Sequence, residues 1–117
     1  MSYDPEVAGR VRRLLSHRDD IAERKMVGGL SFLLNGNMCC GVAGGDLMVR
    51  VGAGQREQAL GEAHVQPMVF GGRALAGFIR VEPPGFSAEA DLAAWVQRGL
   101  DVAGSLPPKA GSASTSK

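Results

Sequence analysis

The sequence has few cysteines, few aromatic residues and no long apolar run. Two of its 117 residues are cysteines, and aromatic residues make up 5%. Cys39 and Cys40 are adjacent, so a bond between them would close no useful loop, and we expect two reduced thiols in a cytoplasmic protein. No stretch approaches the roughly 18 apolar residues of a membrane span. The segment 1–13 is polar and mixed in charge, so we do not expect it to be a signal peptide.

The chain also lacks an excess of charge of either sign. It has 13 lysines and arginines against 12 aspartates and glutamates, a formal net charge of +1. This balance argues against a polybasic nucleic-acid arm, and an apolar fraction of 44% excludes disorder of the whole chain. The length predicts a single domain, which we place at 1–106. The remaining segment 107–117 is rich in glycine and serine and is expected to be a disordered tail.

Helical patterns occupy both ends of the predicted domain. Asp4 is a suitable N-cap and Pro5 a suitable first residue for a helix that we expect to end near Asp19 and Asp20. A second long helix is predicted with Ser87 as its N-cap, and Glu89 and Asp91 place negative charge in its first turn, where the helix dipole favours it. Its buried positions are predicted to be Leu92, Trp95, Val96, Gly99, Leu100 and Ala103.

Strand patterns fill the middle of the chain. Three strands of an antiparallel meander are predicted at 30–34, 38–42 and 47–51, and Asn35-Gly36 is a strong type I′ hairpin signal between the first two. A short helix over 55–62 precedes strands at 65–70 and 76–81, the former an edge strand because of Pro67. The order α-β-β-β-α-β-β-α predicts the α+β class, with a single antiparallel sheet and helices on one face.

Motifs of ligand binding and catalysis are weak. Gly52-Ala53-Gly54 lies between a strand and a helix, but Glu57 stands where a dinucleotide-binding fingerprint needs glycine. Cys39 and Cys40 with His17 and His64 form no pattern typical of a metal site. We therefore predict no catalytic residue, cofactor or metal. A small-ligand binder or enzyme that uses the glycine-rich loops or the cysteine thiols remains an alternative.

Basic residues suggest another alternative. Arg10, Arg13 and His17 fall on one stripe of the first helix. A protein that binds DNA gains most of its affinity by neutralising phosphates, so this stripe predicts weak, salt-sensitive binding if it contacts DNA at all. The competing interpretation is a solvated helix face.

Three motifs carry a resemblance to a known family. They are Arg24–Phe32 (RKMVGGLSF), Asn35–Met38 (NGNM) and Asp46–Val51 (DLMVRV), with Val27 where a phenylalanine is usual. Together with Pro67-Met68, Gly77-Phe78 and a last helix that contains Trp95, they resemble the N-terminal domain of the TfoX/Sxy family, here without the C-terminal domain. The resemblance covers roughly residues 15–106.

The resemblance implies a fold like that of type III secretion chaperones and a regulatory role. Founding members promote transcription of competence genes in bacteria, together with the cyclic-AMP receptor protein. The family contributes no catalytic residues. The motif residues that could serve an interaction, or simply maintain the fold, are Arg24, Lys25, Met26, Gly28, Gly29, Asn35, Gly36 and Arg50.

The leading hypothesis is therefore a non-enzymatic, regulatory module that binds another protein. A DNA-associated regulator and a small-ligand binder or enzyme are the alternatives. A homodimer is also expected, since a small domain with a single sheet often pairs through an exposed face. The sequence does not identify the protein partner.

Overall fold

The computed structural model describes residues 3–26, 29–70 and 72–107. In these residues, six strands form one sheet, and three helices form a layer against it. The sheet is antiparallel, with the strand order β1-β2-β3-β4-β6-β5. The predicted α+β class is confirmed. The elements are α1 (Pro5–Leu15), β1 (Ile21–Met26), β2 (Gly29–Leu34), β3 (Asn37–Ala43), β4 (Asp46–Arg50), α2 (Arg56–Leu60), β5 (Val65–Phe70), β6 (Arg73–Val81) and α3 (Glu89–Gly104), with 3-10 turns at Ala53–Gln55 and Pro83–Phe86.

The first helix is shorter than its sequence pattern predicts. The Asp4 carboxylate accepts a hydrogen bond from the Glu6 N–H at 2.8 Å, which confirms the N-cap, and Pro5 is the first helical residue. The helix ends at Leu15, not near Asp19. The chain then enters β1, a strand that the sequence pattern did not predict and that pairs along its whole length with β2. Strand β1 forms one edge of the sheet, and β5, which contains Pro67, forms the other.

The hairpin between β2 and β3 matches the prediction. Asn35 has a φ of 49° and Gly36 a φ of 86°. A type I′ turn requires positive φ at both central residues, and asparagine and glycine tolerate it best. The turn brings Leu34 opposite Asn37 and so sets the register of the two strands.

The three helices cover one face of the sheet. Val7, Ala8, Val11 and Leu15 of α1 join the same apolar core as the stripe of α3. All six predicted core positions of α3 are buried. The sheet contributes alternate strand residues to this core: Leu30, Phe32, Leu34, Cys40, Val42, Leu47, Val49, Ile79 and Val81.

The two cysteines do not alternate across the strand as neighbours in a regular strand would. The register between β2 and β3 shifts at Phe32/Leu33. A bulge of this kind places two residues of one strand opposite one of its partner. As a result both cysteines are fully buried in the core, with their sulfurs 3.8 Å apart, and neither is in a disulfide.

The last helix starts one residue later than expected and without a side-chain cap. Its N-cap is Ala88, while the Ser87 hydroxyl contacts the Pro84 carbonyl. Glu89 and Asp91 lie in the first turn, as predicted. Of the expected tail, 107–117, only residue 107 belongs to the described part of the chain. Within the described part of the chain, no helix is long and apolar enough to span a membrane.

Candidate interaction surface

One face of the sheet has no helix over it, and we call it the open face. Strand alternation and register assign its residues, because they alternate with core residues along a strand or pair with residues that do. Ser31 and Leu33 of β2 belong to it, and the register places Arg24 beside Ser31 and Met38 beside Leu33. The remaining strand residues on the open face that enter the argument are Gly41, Asp46, Met48, Arg50, Phe78 and Arg80.

The centre of the open face is made of methionine side chains. A Cβ atom on Gly41 would come within 2.7 Å of the Met48 methyl carbon and 3.0 Å of that of Met38. The missing side chain therefore makes room for both thioethers. Met48 is 1% exposed, although no helix covers it. Thioether side chains are flexible and polarisable, so such a surface can adapt to different apolar partners.

Arg50 bridges three strands on this face. Its Nε donates a 2.7 Å hydrogen bond to the Met38 carbonyl oxygen of β3. Its guanidinium carbon lies 4.8 Å from the centre of the Phe78 ring, on the neighbouring strand β6. Burial lowers the pKa of Arg50. No carboxylate of residues 3–26, 29–70 or 72–107 forms a salt bridge with it, so its charge has no internal partner there.

The other charges of the open face are distributed unevenly. Arg80 donates from Nε to the Asp46 carboxylate at 2.7 Å, and this pair is neutral. Arg24 is exposed on β1, next to Ser31, whose hydroxyl donates to the Arg24 carbonyl. The strand residues of this face therefore present a net positive charge, carried by Arg24 and Arg50.

The structure separates the motif residues suggested by the sequence. Arg24 and Arg50 lie on the open face, whereas Lys25 alternates to the helical side of the exposed edge strand. Asn35 and Gly36 form the hairpin turn described above. Met26 ends β1, Gly28 lies outside the described residues, and a Cβ on Gly29 would run into the Val42 carbonyl oxygen. Gly29 thus has a steric role in strand pairing.

The basic stripe of α1 is partly engaged within the molecule. The Nη2 of Arg10 donates to the carbonyl oxygens of Phe86 and Ser87 at 3.0 and 3.2 Å. The same nitrogen lies 3.3 Å from the Glu89 carboxylate. Arg13 and His17 are exposed. The stripe therefore offers fewer unpaired cations than its sequence suggests, which weakens the argument for DNA binding by this face.

The two cysteine thiols are close together but enclosed. Cys39 donates to the Phe32 carbonyl oxygen at 3.5 Å. The hydrogen bond between the two thiols lowers the pKa of Cys39 and, together with burial, raises that of Cys40. Since a reactive thiol needs access as well as thiolate character, their complete burial argues for a packing role.

A cleft of about 350 Å³ lies between α3 and the turns before β5 and α3. Glu62, His64, Asp91 and Trp95 are among its lining residues. Arg98 pairs with Glu62 at 3.0 Å and stacks on Trp95, whose indole N–H donates to the Gly85 carbonyl. These contacts are structural, and no cluster of three potential metal ligands occurs in the described part of the chain.

The sequence motifs include Arg24 and Arg50, but they do not indicate which side chains surround them. Phe78 and Met38 enter the surface through strand pairing between positions far apart in the chain. The available signal was the alternation of Arg50 between Val49 and Val51, which places a charge on the face opposite the core.

Comparison with protein-family models matches residues 13–103 to the TfoX N-terminal domain. No curated protein and no solved structure matches the chain.

Proposed function

Because the chain belongs to the TfoX N-terminal domain family, we propose that it is a non-enzymatic regulatory module that binds another protein through the open face. Family membership supports a regulatory or competence-related role in coarse terms. The observation that carries the finer proposal is the open face itself: a helix-free sheet surface with methionines at its centre and two arginines without internal carboxylate partners among the described residues.

The chemistry of this face suits recognition. Apolar side chains supply contact area, while charged groups fix the orientation of the partner and exclude the wrong ones. Arginine is enriched at the energetic centres of protein interfaces, where its planar guanidinium both stacks and donates several hydrogen bonds.

Two neighbouring residues of β1 provide a matched test. Arg24 and Lys25 are both exposed and positively charged, but they lie on opposite faces of the same edge strand. Arg24→Glu reverses a charge on the open face, and Lys25→Glu makes the same change on the helical side. Neither residue forms a salt bridge within the described residues, so both variants should fold.

The experiment is a quantitative capture from nuclease-treated lysate of the native host, with the wild-type protein and both variants as baits. We expect a protein that the wild type and Lys25→Glu enrich equally and that Arg24→Glu enriches at least about fivefold less, a difference of roughly 1 kcal/mol. Equal loss with both variants, or with neither, would contradict binding through the open face.

A further inference from the structure

Arg50 has the surroundings of a binding site for a single carboxylate. Its Nε is fixed on the Met38 carbonyl oxygen, and its guanidinium plane is supported by Phe78. These two contacts fix the direction in which the terminal nitrogens point. A guanidinium held in this way loses little conformational freedom when it binds a planar, two-oxygen acceptor.

The terminal nitrogens of Arg50 remain accessible. The residue is half-buried, and they have no hydrogen-bond partner among the described residues. They are also not fully buried. In the described part of the chain, the buried side-chain atom without a hydrogen-bond partner is Nε of Arg56, not a nitrogen of Arg50. The two terminal nitrogens of a charged group therefore keep some contact with solvent beside apolar side chains.

The neighbouring groups define what can bind there. Met38 and Met48 lie beside Arg50 on the open face, and Leu33 lies one strand further away, opposite Met38. The face carries three arginines and one aspartate, and Asp46 is already paired with Arg80. An anion is favoured for charge balance, and apolar groups next to it would contact the half-buried Met38, below which Met48 is 1% exposed.

We propose that Arg50, supported by Phe78 and Met38, binds a glutamate or aspartate carboxylate in an extended acidic segment of the protein partner, with apolar residues on either side of that carboxylate. This inference rests on the proposed function and specifies the chemistry of the partner. A duplex nucleic acid fits less well, since its affinity depends on several unpaired cations along a phosphate backbone. Among the described residues, the open face instead has two separate cations without a carboxylate partner, the half-buried Arg50 among apolar side chains and Arg24 on the edge strand, while Asp46 neutralises Arg80.

The test uses two synthetic peptides as probes, Ac-Leu-Glu-Leu-Glu-Leu-NH2 and its glutamine counterpart Ac-Leu-Gln-Leu-Gln-Leu-NH2. Titration into the isotopically labelled full chain is followed through the backbone amide signals and the Arg50 Nε–H signal. We expect the acidic peptide to shift the Arg50 signal and those of β3, β4 and β6 on the open face. The glutamine peptide should bind at least about tenfold more weakly, because charge-assisted hydrogen bonds are the stronger kind.

Two variants of Arg50 separate charge from geometry. Arg50→Met removes the charge but keeps an unbranched apolar stem, and it should reduce binding of the acidic peptide at least about tenfold. Arg50→Lys keeps a charge without the fork, and it should reduce binding by a smaller factor of about three to ten. Lys25→Met, on the other side of the sheet, is the control and should bind like the wild type. Amide spectra of each variant establish that it folds. If Arg50→Met does not fold, the loss of binding by Arg50→Lys alone tests the site.

Several results would overturn the inference. Equal binding of the two peptides, no shift of the Arg50 signal, or unchanged binding by the folded Arg50 variants would each exclude a carboxylate site at Arg50. Displacement of the acidic peptide by a short DNA duplex at equal ionic strength would assign the site to nucleic acid instead. The proposed function is tested separately by the capture with the Arg24→Glu and Lys25→Glu variants. If Arg24→Glu lost the partner but the acidic peptide did not bind, binding through the open face would stand and the carboxylate site at Arg50 would be rejected.

Discussion

The two faces of the sheet bury their side chains by different means. On the helical face, α1 and α3 lie over alternate strand residues, and side chains such as Leu47 and Val49 have no exposed surface. On the open face, Met48 is 1% exposed with no helix above it, and its methyl carbon lies with that of Met38 at Gly41. One face is closed by secondary structure and the other by a single layer of flexible side chains. A layer of that kind can rearrange for a partner, whereas the helical core cannot.

Leu47 and Met48 provide the largest expected difference between the two faces. They are adjacent on β4, both are buried, and they point in opposite directions. Leu47→Ala should lower the free energy of unfolding by about 4 kcal/mol, since it leaves a cavity under the helices. Met48→Ala should cost about 2 kcal/mol, because the flexible side chains around it can close the gap. Urea unfolding curves of both variants measure these losses, and equal losses would mean that the open face is packed as rigidly as the core.

The contact between α3 and β3 should be the next most sensitive feature. A Cβ on Gly99 would run into the Cys39 carbonyl oxygen, so Gly99→Ala must displace the helix from the bulge. Overpacking of this kind costs about 1–3 kcal/mol. Gly104→Ala is the matched control at the end of the same helix, where the new Cβ would lie 3.6 Å from Leu34. It should be neutral or stabilising by up to about 1 kcal/mol. Thermal unfolding of both variants measures the contrast, and a neutral Gly99→Ala would contradict the close approach.

Local signals in the sequence predicted the parts of the fold that depend on neighbouring residues. The Asn35-Gly36 turn and the apolar stripe of α3 depend on short-range conformational preference and periodicity. Strand β1 was missed because its middle residues, Ala22 to Lys25, are mostly charged and show no apolar alternation. Its strand conformation comes from pairing with β2, a tertiary effect that overrides local preference.

The surface was predictable only in part. The alternation of Arg50 with buried valines places its charge opposite the core, but nothing near it in the sequence points to Phe78 as its stacking partner. The bulge that brings Cys39 and Cys40 to one side is likewise invisible in the sequence. Its position depends on how β2 and β3 pair after the turn has fixed their register.

Arg10 and Arg13 test how the helical layer is held at its margin. Arg10 connects α1 to the turn before α3 through two carbonyl oxygens, and Arg13, one turn away, is exposed. Arg10→Met should lower the free energy of unfolding by about 1 kcal/mol, since the Phe86 carbonyl oxygen loses a part-buried hydrogen bond, while the bond to the Ser87 carbonyl is exposed. Arg13→Met should change it by less than about 0.5 kcal/mol. Chemical denaturation distinguishes the two, and equal effects would show that the Arg10 contacts contribute nothing to stability.

The smallest expected effect concerns the ion pair between α1 and the edge strand. Arg12 contacts the Glu23 carboxylate through two nitrogens, at 2.6 and 2.9 Å, and this lowers the pKa of Glu23 from its ordinary value of 4.5. Because the pKa is lower in the folded state, the pair stabilises the protein above pH 4.5. That contribution disappears as the pH falls through the lowered value. Both side chains are more than a third exposed, so solvent screening limits it to less than about 1 kcal/mol.

Glu23→Gln should therefore flatten the loss of stability as the pH falls below about 4.5, the ordinary pKa of the group, without changing the fold. Glu57→Gln is the control, at an exposed glutamate that forms no salt bridge in the described part of the chain. Unfolding free energies measured across this pH range decide the matter. If both variants gave the wild-type slope, the pair would be only a surface contact, and α1 would be held to the sheet by its apolar stripe and Arg10.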